Sequence, residues 1–513
     1  MLSKSFITSF LAIAALTATP ASAQPLAGID ALAARAATKG AVRVIVGFAE
    51  PATAKAAEAA GTAAETERAD EAHRLALRGT QRAILASAFG AAASDAAIAG
   101  SETAARSVTL MDVVPALAVT VSQDELKRLA ADPRVTSIEE DRLSKPTLIQ
   151  SNAILRMTGT TGAWVKGATG TNRIVAVLDT GVNRNHEFLK FSAAASKVVS
   201  EACYNTNDAA TFGSHSRCPG GAQQSIAIGS GADCTAFKGC GHGTHVAGIA
   251  AGRNSGQNPG EPSRGVAFNA GILGIDVFSR FDHTHSSASC GSGATVDCLL
   301  SWSSDQIRAM ERVFALRNGI GGRKIAAINM SLGGGSSSGF CDSSDPSYTQ
   351  VVTKLRNAGI AVVIAAGNES FKGAVGFPGC ISTATTVGAS SKTTPGNPEK
   401  IASYSNMGTP VDILAPGGDF GYPSALGNAS LILSSFKGSN VKYDRLAGTS
   451  MAAPHIAGVF AAIKSKPSCA TKTVAQIENA MKSTGQVIND TRVGGTFARR
   501  RVNVAATIAA LCP

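Results

Sequence analysis

From Ile174 onward, short apolar runs alternate with segments of helical period, and this pattern restricts the fold more than any other feature of the chain. The runs are Ile174–Thr180, Ala270–Phe278, Lys324–Leu332, Gly359–Asn368 and Thr385–Ser390. Between several of them lie amphipathic stretches such as SDQIRAMERVFALRNG (304–319) and SYTQVVTKLRNAG (347–359). Strands that are apolar on both faces and separated by helices imply an α/β fold: a parallel sheet sandwiched between helices. In such sheets functional residues gather beyond the carboxyl ends of the strands. Asp179, Ser331 and Asn368 each stand at such an end.

A second stretch, GTSMAAPHIAGV (448–459), opens a run of Ala, Val, Ile and Phe that reads as a buried helix. Gly448 allows a sharp turn, and Pro454 suits only the first helical turn. Ser450 therefore lies near a helix N-terminus, where amides and the helix dipole favour negative charge. Taken alone, a Thr-Ser before a helix reads as an N-cap.

The N-terminal segment defines a compartment. Lys4, the apolar run Phe6–Ala18 and Ala21-Ser22-Ala23 read as a secretory signal peptide over residues 1–23, too short for a spanning helix. The ten cysteines suit an oxidising destination, and all of them follow residue 200. Sequence leaves their pairing open; sequential pairing is one arrangement, with Cys234/Cys240 and Cys290/Cys298 its nearest partners. Residues 24–148 form a separate cysteine-free α+β unit. It contains a buried strand over 41–48, an Ala-rich helical stretch over 52–107, and strand, helix, strand over 113–141, with Ser122 and Glu125 as a capping box. Residues 149–513 form the larger domain. The net charge of +11 comes with no basic patch interleaved with aromatics, so no nucleic-acid partner is expected. Arg499–Arg501 reads as a solvated run. A soluble, exported monomer with no membrane span is the expectation.

Nucleophilic hydrolysis needs a nucleophile, a base and a group that orients the base. Ser450, His242 in GHGTHVAG and Asp179 supply these types, each at a glycine-rich junction, and Asn368 adds an amide donor for an oxyanion. VLDTGV, GHGTHVAG, NMSLGGG, AAGN and GTSMAAPHIAG together resemble the motif set of the subtilisin-like serine proteases, in the order Asp, His, Ser. The segments VRVIVGF and VVPALAVTVSQDELKRLAADPRVTSIEED resemble that family's propeptide inhibitor.

The resemblance implies a serine endopeptidase made as a self-processed zymogen. In it Asp179 is the orienter, His242 the base, Ser450 the nucleophile and Asn368 an oxyanion donor, with His245 structural. Protein or peptide substrates would pair with Ser331, Leu332 and Gly333. A pocket walled by Gly333, Gly334, Ala365, Ala366 and Gly367, with Gly376 as its floor, would take large hydrophobic residues before the cut. Glu369 at its rim would also accommodate lysine or arginine. The propeptide would inhibit intramolecularly, with the self-cut between Lys145 and Gln150.

No cofactor is implied for the chemistry. At the family's strong calcium site Phe188 stands where a ligand would, and Asp412 matches a weaker cation ligand. The segment Cys203–Cys240 reads as a stapled surface loop without effect on the chemistry. Two rival readings are a zinc site at His242, His245, Cys234 and Cys240, with His283 and His285 as a further pair, and a secreted binding protein that kept the fold. The first predicts chelator sensitivity; the second predicts that Ser450→Ala changes nothing.

Overall fold

The computed structural model describes residues 28–51, 63–98, 107–141, 143–146, 154–253, 264–285, 290–291, 294–393, 396–492, 494 and 497–512. The signal-peptide reading (1–23) and most of the predicted cut window lie outside the described residues.

The N-terminal unit is an antiparallel four-stranded sheet of β1 (Val42–Phe48), β2 (Val108–Leu110), β3 (Ala116–Val121) and β4 (Val135–Glu140), in the order β2-β3-β1-β4. Helices α1 (Ala63–Phe89) and α2 (Gln123–Ala131) cover one face, and the Ser122–Glu125 capping box forms as read. β1 alternates poorly because both its faces are buried. Val44 and Val46 pack under the unit's own helices, while Ile45 joins the core of the larger domain. A fifth strand, β5 (Leu143–Pro146), leaves this sheet and enters the other domain.

In the larger domain, β6 (Arg173–Asp179), β7 (Val198–Tyr204), β8 (Gly271–Asp276), β9 (Cys298–Trp302), β10 (Lys324–Met330), β11 (Leu332–Ser337), β12 (Ala361–Ala365), β13 (Thr385–Ser390) and β14 (Ile413–Pro416) are the strands that matter for the site. A ten-stranded sheet runs β7-β8-β6-β10-β12-β13-β14 through its parallel centre. Every apolar run read as a strand is one; β7 and β14 had no such reading. Helices α3 (His242–Ala251), α4 (Ser303–Ala315), α5 (Pro346–Asn357) and α6 (Thr449–Ser465) pack on its two faces. α6 is buried from Thr449 to Lys464, and its Ala- and Gly-rich surface lets it lie close against the sheet.

All ten cysteines are bridged in sequential pairs: 203–218, 234–240, 290–298, 341–380 and 469–512. Arg499–Arg501 is not a solvated run. It forms most of the strand Ala498–Arg501, which lies inside the large sheet next to its edge, with Arg501 buried against Glu399 and Arg499 donating to the Val411 carbonyl. No helix among the described residues is long and apolar enough to cross a membrane.

Phe188 is buried under Gly252, where an added Cβ would sit 1.9 Å from its ring. Gly252→Ala is therefore expected to destabilise the fold by about 1–3 kcal/mol through overpacking. Phe188→Ala should relieve much of that cost in the double variant. Additive losses in thermal melts would contradict this contact.

Candidate active site

Asp179 closes β6, and its parallel neighbour β10 leads directly into Ser331. Both polar residues thus emerge at the carboxyl edge of the sheet, Asp179 as the last paired residue of β6 and Ser331 just beyond β10. His242 is the first residue of α3, and Ser450 is the second of α6. His242 Nδ1 lies 2.5 Å from Asp179 Oδ1, which also accepts from the Thr180 amide at 2.8 Å. Asp179 Oδ2 has no hydrogen-bond partner among the described residues.

His242 is enclosed despite the glycines on either side of it; the residue is 2% exposed. A Cβ on Gly243 would meet the Gly181 carbonyl at 2.1 Å, so glycine here is the condition for α3 to start against the Asp179 turn. Gly241 has φ 91° and a Cβ there would press on Lys437 and Phe436. His245, one turn on, is fully buried with Nε2 facing the Asp444 carbonyl, and burial pushes it down to about 3. It is a neutral packing residue.

Ser450 is not an N-cap: Gly448 holds that position, with extended backbone. Pro454 lies in the body of α6 rather than in its first turn. In a regular helix residue 454 would donate its N–H to the Ser450 carbonyl, and proline has no N–H to give. That carbonyl instead accepts from Ser331 Oγ at 2.5 Å, while Ser450 Oγ donates to the Ser331 carbonyl at 3.0 Å. Asn329 Nδ2 donates to Ser331 Oγ and completes the chain of contacts.

Asn368 follows β12. Its Oδ1 accepts from the Thr449 amide at 2.7 Å and from Thr449 Oγ1 at 3.1 Å. With the oxygen turned toward donors, the NH2 group is the end that donates. Gly333, Gly334, Ala365, Ala366, Gly367 and Gly376 are brought together: Gly376 donates to the Ala366 carbonyl, and its Cα faces Gly334. Glu369 Oε2 is already engaged by the Asn368 amide and by Asn406.

β5 lies antiparallel between β9 and β11, with Leu143 opposite Trp302, Ser144 opposite Ser301, Lys145 opposite Gly333 and Pro146 opposite Leu332. Upstream of it, buried Arg43 pairs with Asp141 at 2.7 Å, and Asp141 Oδ1 accepts from the Ser304 amide at the start of α4. Glu311 of α4 accepts from the amides of Asp112, Val113 and Val114.

Two expectations need correction. Asp412 offers no cation site: one oxygen pairs with Lys482 and the other accepts from the Thr386 amide. The segment Cys203–Cys240 is more than a surface loop, because it carries Arg217 and Asp233 behind the site. Arg217 donates to Asp276 Oδ1 and to the Thr180 carbonyl; Asp233 accepts from the Gly241 amide and Thr244 Oγ1. The bridge Cys234–Cys240 also removes both sulfurs from any zinc set with His242. Neither residue was found from sequence. An acid and a base inside a cysteine-rich insertion carry no motif, although their seats beside bridged cysteines are a usable signal.

Burial pushes Asp233 and Asp276 up to about 6. A carboxyl raised in the folded state binds its proton more tightly there, so its contribution is complete below the ordinary value of about 3.9. It is lost as pH rises through about 6. Asp276→Asn, in a Ser450→Ala background that prevents self-digestion, is expected to lose less stability than its parent between pH 4 and 7. Parallel stability curves would contradict this. In the same background, Ser331→Ala leaves the backbone carbonyl of residue 450 without its donor, at about 1–3 kcal/mol. Adding Pro454→Ala supplies an N–H and should recover part of the loss; no recovery on calorimetry would count against the proline argument.

Residues 170–500 match the sequence profile of the subtilase family. An extracellular protease of Xanthomonas campestris pv. campestris is 30% identical over 392 residues, covering 73% of this chain and 59% of its own length. This chain thus spans about three fifths of that relative. Subtilisin amylosacchariticus of Bacillus subtilis subsp. amylosacchariticus is 29% identical over 398 residues, 77% of this chain and 80% of the relative. The structure of fervidolysin from Fervidobacterium pennivorans, a keratinolytic enzyme related to subtilisin, aligns over 92% of this chain and 61% of its own. Its TM-score is 0.56 at 19% identity, a likeness of fold alone. With five ordered motifs, a buried Asp–His pair and a family match over well more than half its length, the chain belongs to the subtilase family of serine endopeptidases.

Proposed function

We propose that this protein is an exported endopeptidase that cuts peptide bonds through Ser450, His242 and Asp179 by way of an acyl-enzyme. The observation that carries the reading is the 2.5 Å contact between His242 Nδ1 and Asp179, at the same sheet edge as the Ser331–Ser450 pair. Asp179 keeps Nδ1 as the protonated nitrogen, so Nε2 takes the Ser450 proton and later delivers it to the leaving amine. The tetrahedral oxygen accepts from Asn368 Nδ2 and the Ser450 amide; an N–H in the first turn of a helix has no carbonyl within it. No step calls for a metal or cofactor. Export is supported by the leader-like N-terminus, the five disulfides and the extracellular relative.

The substrate lies where β5 lies. Two flanking strands read the peptide backbone, and the glycine-lined recess at Gly334, Ala366 and Gly376 receives the side chain before the cut. Large hydrophobic residues suit a recess without a free charge inside it. Glu369 is a poor partner for a basic residue while its Oε2 serves Asn368 and Asn406. Residues 24–148 then act as propeptide and inhibitor, held by Ser304 on Asp141 and by Glu311 on the amides of 112–114, and threaded through the cleft by β5. In the register of β5, Lys145 and Pro146 face Gly333 and Leu332. Ser331, which holds Ser450, directly precedes that strand, so the self-cut is proposed shortly after β5, between Pro146 and Gln150.

Ser450→Ala is expected to abolish both casein hydrolysis and self-processing and to leave the full-length chain intact. Survival of either activity would overturn the mechanism, as would an activity blocked by chelators yet indifferent to sulfonyl fluorides. N-terminal sequencing of the secreted protein should begin within a residue or two of Leu148. A start well before residue 140 would refute self-removal of this unit.

A further inference from the structure

The loop that carries Asn368 has no regular secondary structure to hold it, yet an oxyanion donor must be in place before charge develops. What holds the loop is the side chain of Asn406, far away in sequence. Asn406 is fully buried. Its Oδ1 accepts from the amides of Glu369 and Phe371, both at 3.0 Å. Its Nδ2 donates to the Ala366 carbonyl at 3.1 Å and to Glu369 Oε2 at 2.6 Å. Its own amide donates to the Gly367 carbonyl at 3.0 Å. Glu369 Oε2, held in this way, accepts from the Asn368 amide at 2.9 Å. The amide orientation is dictated by its partners, since one end faces only donors and the other only acceptors.

Asn406 therefore grips the residues on both sides of Asn368, while Thr449 holds the Asn368 side chain through its Oδ1. The approach is close: a Cβ on Gly367 would lie 2.4 Å from Asn406 Nδ2, and Gly367 has φ 104°. The same short segment reinforces the grip, with Ser370 donating to the Tyr404 carbonyl and Met407 to the Phe371 carbonyl. An aspartate at 406 would keep the acceptor but lose both donors, and would place a second carboxylate beside Glu369. A leucine of similar volume would lose all four side-chain bonds.

We infer that Asn406 is a positioning residue of the oxyanion site, acting on the reaction through Asn368 and not by touching substrate. The inference rests on the proposed role of Asn368, and the test separates the two in a double-mutant cycle on the mature enzyme with a peptide amide substrate. Asn368→Ala is expected to lower kcat by about a hundred- to a thousandfold, the range known for such a donor in subtilisin. Asn406→Leu should lower kcat by about tenfold or more with KM changed by less than about threefold. In the Asn368→Ala background the same change should cost less than about threefold, because the group it positions is gone.

Losses that multiply in full, or an effect confined to KM, would overturn the inference while the reading of Asn368 stands. An unchanged kcat in Asn368→Ala would overturn that reading itself. If Asn406→Leu yields too little mature enzyme, Asn406→Asp and Asn406→Ser are carried through the same cycle, with the first-order self-cleavage rate of the full-length chain as readout. The same non-additivity is expected, and full additivity refutes it.

Discussion

A missing hydrogen-bond donor organises the centre of this molecule. Because Pro454 has no N–H, the Ser450 carbonyl inside α6 remains open, and Ser331 fills it while receiving the Ser450 hydroxyl in return. The exchange ties the start of the buried helix to the strand end that flanks the cleft. The side chain proposed as nucleophile and the backbone proposed to bind substrate are thereby one rigid unit. Helix burial makes the arrangement durable, since α6 has almost no polar surface through which to seek another position.

Around this tie, close backbone approach does the positioning. Gly243 lets α3 begin against Gly181, and Gly367 lets the loop that carries Asn368 pass over Asn406. In each place a single methyl group would separate elements whose side chains must meet within hydrogen-bond distance. The glycine-rich motifs are thus conditions of packing, and the small residues of α6 play the same part against the sheet.

The two domains meet through groups that are costly to bury alone. Asp141 with the Ser304 amide, and Glu311 with the amides of 112–114, are joined across the domain boundary, while Arg43 braces Asp141 from within the smaller unit. Unpaired, each would carry a desolvation penalty. This explains how a small unit can hold β5 in the cleft with a strand that presents mainly backbone, and why the interface is polar exactly where α4 begins and apolar around Ile45.

Much of the architecture was legible in the sequence, because parallel strands buried on both faces leave continuous apolar runs that stop at polar residues. Asp179, Ser331 and Asn368 were readable as strand ends for that reason, and Ser450 as the mouth of a helix without polar faces. The five motifs tied these to a family. Tertiary structure alone decided the rest. Whether His242 is exposed, whether Pro454 sits in the first turn, and whether Asp412 is free for a cation depend on neighbours distant in sequence. Arg217, Asp233 and Asn406 carry no motif for the same reason: each acts through partners that only the fold brings near, and a buried polar side chain takes its meaning from what it is bonded to.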